Sequence, residues 1–107
     1  MKNILKVVTV LICCQWFSLA VSASEGLWID VRSAAEYEQG HLPGAINVTH
    51  TEIGYAITSL APDKNKPIRL YCGSGRRAGM ALQTLESMGY TKASNEGGYS
   101  ELINNQK

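Results

Sequence analysis

Residues 68–78 read IRLYCGSGRRA, and this stretch predicts the centre of the fold. The largely apolar run 68–71 is predicted to be a strand that ends directly at Cys72. Residues 73–77 are predicted as a tight loop with two glycines. Residues 78–88 are predicted as a helix, because apolar residues recur there at helical spacing. The segment is therefore a strand–loop–helix unit with a cysteine at the carboxyl end of its strand.

The flanking segments alternate between strands and helices. Further strands are predicted at 27–31, 45–48 and 91–95, further helices at 33–40, 51–60 and 99–103, and a turn at Gly97 and Gly98. Ser33 and Glu36 have the spacing of a capping box at the start of the first of these helices. This alternation predicts one α/β domain with a central parallel sheet and helices on both faces. In such sheets the ligand site lies beyond the carboxyl ends of the strands, where Cys72 is predicted to be.

The loop after Cys72 has the composition of an anion-binding site that activates a thiol. Gly73 and Gly75 permit backbone angles that direct several N–H groups inward, and the positive end of the following helix dipole adds to their effect. Arg76 and Arg77 add two permanent charges. These groups are expected to lower the cysteine pKa and to hold an oxyanion beside the sulfur. A plain turn around a buried, inert thiol would not require two glycines and two arginines.

Four segments of the chain resemble the rhodanese family, in the order that the family has them. Residues 28–32 (WIDVR) resemble its first strand, 37–47 (YEQGHLPGAIN) its Gly-His-Leu-Pro-Gly-Ala motif, 72–78 its active-site loop and 97–99 (GGY) its late glycine turn. The second of these matches is the most specific. Length and a predicted export signal make the chain similar to the periplasmic single-domain rhodaneses of the phage-shock type.

The resemblance implies a thiosulfate sulfurtransferase that works through a persulfide on Cys72. Cys72 would attack the outer sulfur of thiosulfate, release sulfite, and pass the sulfur to cyanide or to a thiol. The implied donor-binding residues, whose main-chain N–H groups would hold the persulfide and the donor, are Gly73, Ser74, Gly75, Arg76, Arg77 and Ala78. The two arginines would favour a doubly charged donor. No metal or organic cofactor is implied, because the cysteine itself carries the sulfur.

Three residues outside the loop are assigned supporting roles. Asp30 and Arg32 could reach the site, but for both a buried hydrogen-bonding or ion-pair role near the end of the first strand is favoured. In the resembled motif, His41 is expected to fix the turn at Pro43 and Gly44 rather than to act as a base.

Alternative functions remain open beside this one. Cys72 could carry sulfane sulfur to a protein partner, or take it from mercaptopyruvate, since residues 72–75 also resemble the loop start of mercaptopyruvate sulfurtransferases. An oxyanion phosphatase or arsenate reductase is a further alternative. Those enzymes have an arginine after five intervening residues, whereas Arg77 follows Cys72 after four. The shorter loop leaves less room for a tetrahedral oxyanion.

Residues 1–23 have the three-part layout of a secretory signal. Lys2 and Lys6 precede a mostly apolar stretch at 7–19, and small residues at 21–23 provide a cleavage site after Ala23. The apolar stretch is shorter than the roughly 20 residues of a membrane-spanning helix. We therefore predict a cleaved signal peptide, a periplasmic location and a rhodanese domain over 24–107.

The residues after the signal restrict the kinds of partner. Removing 23 of the 107 residues leaves 84, with eight basic and nine acidic side chains. This balance gives no reason to expect binding to nucleic acid or to a membrane. Cys72 is the one cysteine in 24–107, so no disulfide can form within the domain and a reactive role is favoured. No long apolar surface stripe is evident, which predicts a monomer.

Overall fold

A four-stranded parallel sheet forms the centre of the protein in the computed structural model, which describes residues 26–105. The strands are β1 (Leu27–Asp30), β2 (Ile46–Asn47), β3 (Ile68–Cys72) and β4 (Ala93–Gly98), in the order β2-β1-β3-β4. The helices are α1 (Ala34–Gln39), α2 (Ile53–Leu60), α3 (Arg76–Ser87) and α4 (Tyr99–Asn105). Because all strands are parallel, their carboxyl ends lie at one edge, and Cys72 ends the interior strand β3.

Side chains of β3 alternate between two apolar layers, one on each face of the sheet. Ile68, Leu70 and Cys72 belong to the larger layer, which packs against α2 and α3. Those helices contribute Ile53, Ile57, Ala78, Ala81 and Leu85. Tyr71 belongs to the smaller layer, together with Leu42, Ala45 and the α4 residues Tyr99, Leu102 and Ile103. The predicted parallel sheet with helices on both faces is therefore confirmed.

Local sequence signals account for the ends of the helices. The predicted capping box starts α1: the Glu36 N–H donates to Ser33 Oγ (3.2 Å), and the Ser33 N–H donates to Glu36 Oε1 (3.0 Å). Gly40 ends α1, and Gly89 follows α3 in a left-handed conformation with φ 96°. Both glycines lie where the sequence predicts a helix to stop.

Two of the boundaries that differ from the prediction shape the surroundings of Cys72. Helix α3 begins at Arg76 instead of Ala78, because Gly75 adopts a left-handed conformation (φ 98°) that turns the chain directly into the helix. Strand β4 extends to Gly98, so the glycines predicted as a turn are its last residues. Gly98 pairs with Cys72 after an irregularity in the β3–β4 register. The loop after Cys72 is therefore shorter than predicted and lies directly beside β4.

The predicted signal peptide, residues 1–23, lies outside the residues that the structure describes. None of the helices within 26–105 has the length and apolar character needed to cross a membrane. The same part of the chain contains no group of three or more histidine, cysteine or carboxylate side chains that could hold a metal ion.

Candidate active site

The Cys72 sulfur is surrounded by main-chain N–H groups. Those of Gly75 and Ala78 donate to Sγ, with N···S distances of 2.9 and 3.4 Å. Burial by itself raises the pKa of the Cys72 thiol, but four N–H groups favour the thiolate, and the net effect lowers the pKa. These four groups belong to Ala78, Ser74, Gly75 and Arg77. The sulfur therefore lies at the positive end of α3, within reach of its unpaired N–H groups.

Glycine is required at two positions where β4 approaches the loop. A Cβ atom added to Gly98 would lie 2.5 Å from the Gly73 carbonyl oxygen, so the backbone would have to shift. Gly75 combines φ 98° with a close approach to Gly97, whose Cα lies 3.4 Å from the position of an added Cβ. The late glycine pair thus gives the loop the space to fold beside β4.

Asn95 attaches the loop to β4. Its Nδ2 donates to the Gly75 carbonyl oxygen (2.9 Å), and its Oδ1 accepts from the Gly97 N–H (2.9 Å). The side chain therefore fixes the peptide of a residue whose own N–H contacts the sulfur. From the sequence, Asn95 is predicted only as part of a strand. Its role could not be predicted, because its hydrogen bond to the loop joins residues 20 positions apart.

The two arginines of the loop have different surroundings. Arg77 forms a two-pronged ion pair with Glu36 of α1, with Nη1–Oε1 and Nη2–Oε2 distances of 2.8 and 3.1 Å. Arg76 is exposed, and its side chain has no ion pair or hydrogen bond with any other residue in 26–105. The sequence identified Glu36 only as a capping residue, since its second partner is 41 positions away.

Asp30 and Arg32 form a buried pair on the face of the sheet that carries Tyr71. The guanidinium Nε and Nη2 atoms donate to the carboxylate at 2.9 and 2.7 Å. Arg32 Nη2 also donates to the Gly40 carbonyl oxygen (2.7 Å), and its guanidinium lies 4.5 Å from the centre of the Tyr99 ring. The pair therefore connects β1 with the end of α1 and with α4.

His41 lies between α1 and β2 and contacts the end of α1. Its Nδ1 is 2.8 Å from the Tyr37 carbonyl oxygen, and its ring stacks on the Tyr37 ring at a centroid distance of 3.6 Å. The adjacent Leu42 N–H donates to the Tyr71 hydroxyl (3.0 Å), which attaches this segment to β3. The structure therefore places His41 in the scaffold that supports the edge of the sheet.

This arrangement can stabilise negative charge on sulfur without a neighbouring base. Within residues 26–105, no histidine or carboxylate hydrogen-bonds to Cys72 Sγ. The main-chain donors that favour the thiolate are equally suited to a persulfide or to an oxyanion placed beside it. The chemistry that fits is nucleophilic attack by Cys72 on an anionic compound.

Comparison with known proteins identifies the family. The model of the Rhodanese-like domain matches residues 14–105, and the chain therefore belongs to the rhodanese family. Thiosulfate sulfurtransferase PspE of Escherichia coli (strain K12) is 44% identical over 86 residues, which are 80% of this chain and 82% of PspE. The thiosulfate:glutathione sulfurtransferase of Saccharomyces cerevisiae is 35% identical over 78 residues, covering 62% of this chain and 55% of that protein.

A solved structure of similar sequence has the same fold. The structure of a rhodanese with anions from E. coli matches with a TM-score of 0.69 and 42% identity, covering 71% of this chain and 89% of that chain. The family and the rhodanese-like α/β fold inferred from the sequence motifs are thereby confirmed.

Proposed function

We propose that the chain is a thiosulfate sulfurtransferase that transfers sulfane sulfur through a persulfide on Cys72. The observation that carries this proposal is the set of main-chain N–H groups directed at Sγ, which suits a thiolate and the persulfide formed from it. The similarity to a thiosulfate sulfurtransferase that is 44% identical supports thiosulfate as the donor.

The reaction has two half-reactions that leave the enzyme unchanged. In the first, the Cys72 thiolate attacks the outer sulfur of thiosulfate. The S–S bond of thiosulfate breaks, its electron pair leaves with sulfite, and Cys72 becomes a persulfide anion. In the second, a nucleophilic acceptor attacks the terminal sulfur, and the electron pair of the Sγ–S bond returns to Cys72 as a thiolate. Cys72 carries the sulfur throughout, so the cycle requires no metal or organic cofactor.

The donor would approach from the outer side of the loop. Cys72 is completely buried (0% exposed), whereas Gly73 and Ser74 beside it are exposed. Since Sγ has to reach the donor, we place thiosulfate on this exposed side of the loop. We assign the main-chain N–H groups of 73–78 to the donor and to the persulfide, and the exposed charge of Arg76 to attracting a dianion.

A thiol is proposed as the acceptor in the cell, with cyanide as its substitute in an assay. The yeast relative is a thiosulfate:glutathione sulfurtransferase by name, which supports a low-molecular-weight thiol as the acceptor. An oxyanion hydrolase or reductase is less well supported. The guanidinium of Arg77, which would have to clamp a tetrahedral oxyanion in such an enzyme, is engaged by Glu36.

The test is the intact mass of the protein after thiosulfate, before and after addition of cyanide. We expect a gain of one sulfur atom that cyanide removes as thiocyanate, and no gain in a folded Cys72→Ser variant. A gain of sulfur from mercaptopyruvate but not from thiosulfate would identify mercaptopyruvate as the donor instead of thiosulfate. A variant that retains transfer without Cys72, or a wild-type protein that takes no sulfur from either donor, would overturn the mechanism.

We further propose export to the periplasm, cleavage after Ala23 and a monomeric domain over 24–107. The basic start, apolar stretch and small residues of 1–23 support the export and the cleavage. N-terminal sequencing of the protein from fractionated cells should begin at Ser24, and light scattering should give the mass of one chain. A protein that retains Met1, or that stays with the cytoplasmic fraction, would contradict the export proposal.

A further inference from the structure

The ion pair between Glu36 and Arg77 joins α1 to the first turn of α3, directly beside the cysteine loop. Both terminal nitrogens of the guanidinium donate to the carboxylate, at 2.8 and 3.1 Å. Arg77 Nη2 also lies 3.2 Å from the position of a Cβ added to Gly73. The guanidinium therefore lies next to the loop, and its charge also interacts with Cys72.

Glu36 is held in place by more than the arginine. Its Oε1 atom accepts from the Ser33 N–H (3.0 Å) and the Ser33 hydroxyl (2.9 Å) as part of the capping box. The hydrogen bonds from Arg77 and Ser33 lower the pKa of Glu36 to about 2, so the carboxylate is ionised at any pH near neutrality. A fixed negative charge therefore accompanies Arg77 at the loop.

Arg76 has no such partner. Its side chain is exposed and forms no ion pair or hydrogen bond with the other residues in 26–105. The Glu36 carboxylate, 2.8 Å from Arg77 Nη1, offsets much of the charge of Arg77 at the loop, whereas no carboxylate within 26–105 pairs with Arg76. The loop that carries two arginines in the sequence thus presents one uncompensated cation to a donor.

We propose that Glu36 is a specificity-determining residue of this enzyme: its ion pair offsets the charge of Arg77 beside Cys72, and the unpaired guanidinium of Arg76 supplies most of the attraction for the donor dianion. This inference rests on the proposed sulfurtransferase function. It deepens that function by assigning different roles to two adjacent arginines. Arg77 holds α3 and its loop against α1, and Arg76 sets the preference for the doubly charged donor.

The test compares two donors that differ by one charge. Thiosulfate is a dianion, and an alkyl thiosulfonate is a monoanion that gives the same persulfide with a sulfinate as the leaving group. For each variant, the second-order rate constant of persulfide formation is measured by intact mass in rapid-quench samples, and the ratio of the two rate constants is taken. A change that merely disturbs the fold slows both donors and leaves this ratio unchanged.

Glu36→Gln should raise the thiosulfate-to-thiosulfonate ratio about threefold at low ionic strength, because it exposes the charge of Arg77 to the donor. Glutamine also serves at this position of a capping box, so α1 should persist. Arg77→Gln should lower the ratio by a similar factor, and the double variant Glu36→Gln/Arg77→Gln should return it to near the wild-type ratio. Arg76→Gln is the matched control, and it should lower the ratio both in the wild-type protein and in the Glu36→Gln variant.

Ionic strength provides a second measurement of the same charges. The thiosulfate rate constant should fall more steeply with added salt in Glu36→Gln than in wild type, and less steeply in Arg76→Gln. A double variant whose donor ratio stays as low as that of Arg77→Gln would show that Arg77 is itself a donor ligand and would overturn the inference. A thiosulfate-to-thiosulfonate ratio below the wild-type value in Glu36→Gln would also overturn the inference. If the wild-type protein forms no persulfide, the proposed sulfurtransferase function is itself contradicted, and the roles assigned to Glu36, Arg76 and Arg77 fall with it.

Discussion

Replacing Gly98 with alanine should damage the loop without touching the cysteine. The added Cβ would lie 2.5 Å from the Gly73 carbonyl oxygen, 3.2 Å from its carbonyl carbon and 3.3 Å from Ser74 Cα. All three are backbone atoms, so no side chain can rotate away. Gly98 does not adopt a positive φ, so the contact itself is the perturbation. Since C···O contacts in proteins begin near about 3.3 Å, β4 and the loop have to separate by roughly 0.8 Å.

The expected magnitudes follow from that displacement. Overpacking of this kind costs about 1–3 kcal/mol of the free energy of unfolding, which for a domain of this size lowers Tm by on the order of 10 °C. The same displacement moves the Gly75 N–H away from Sγ, where its N···S distance is 2.9 Å. Misplacement by about 1 Å can cost on the order of 100-fold in rate. We expect persulfide formation to slow by about 10- to 100-fold and the pKa of the Cys72 thiol to rise.

Three measurements separate these effects. Persulfide formation is followed by intact mass, the thiol pKa by the pH dependence of alkylation, and stability by thermal unfolding. Gly79→Ala in α3 is the control, because its added Cβ would have its nearest contact at 3.6 Å, from Asn95 Nδ2. That variant should gain up to about 1 kcal/mol of helix propensity and keep the wild-type thiol pKa. Wild-type kinetics and thiol pKa in Gly98→Ala would refute the steric account of the glycine pair.

Other predictions concern protonation and the buried ion pair. The pH at which the alkylation rate of Cys72 by iodoacetamide is half-maximal should lie below the corresponding pH for a free cysteine, and the rate should decline as pH falls through the lowered pKa. A midpoint at or above about 8.5 would contradict the role of the N–H groups. Arg32→Leu should lower the free energy of unfolding in urea by about 3–5 kcal/mol, because it leaves the Asp30 carboxylate buried without its partner, and a loss below about 1 kcal/mol would be inconsistent with that pairing. Because the pKa of Glu36 is lowered to about 2, its contribution to stability is present above the unfolded-state pKa of about 4.5 and is lost as pH falls towards 2. The carboxylate is 38% exposed, so this loss should be about 1 kcal/mol after solvent screening, and it should be absent in Glu36→Gln.

Much of the fold could be predicted because its signals are local. The side chains of β3 alternate between the two faces of the sheet, and the run that includes Leu70 and Tyr71 already predicts a buried strand. The capping box of Ser33 and Glu36 lies within one helical turn, and Gly89 is adjacent to the helix that it ends. Each of these features depends on residues a few positions apart, so composition and spacing are sufficient to identify it.

The details that shape the site depend on contacts between distant segments. The start of α3 at Arg76 results from the left-handed conformation of Gly75, which the hydrogen bond from Asn95 to its carbonyl oxygen supports. The late glycine pair could be recognised as a motif, but the reason for it is the approach of Gly98 to the Gly73 carbonyl oxygen. No periodicity or spacing encodes a distance between β4 and the loop after β3, so these roles required the folded structure.

When main-chain N–H groups form a site, its geometry depends on the residues that pack against the loop more than on the side chains within the loop. Substituting Ser74 leaves its N–H in place, whereas moving the backbone by a fraction of an ångström removes several donors from the sulfur at once. With no disulfide possible within 24–107, neighbouring elements must fix that backbone. Strand β4 does so through Asn95 and Gly98, and α1 does so through Glu36. Reactivity at Cys72 should therefore respond more strongly to Asn95 and Gly98 than to the side chain of Ser74.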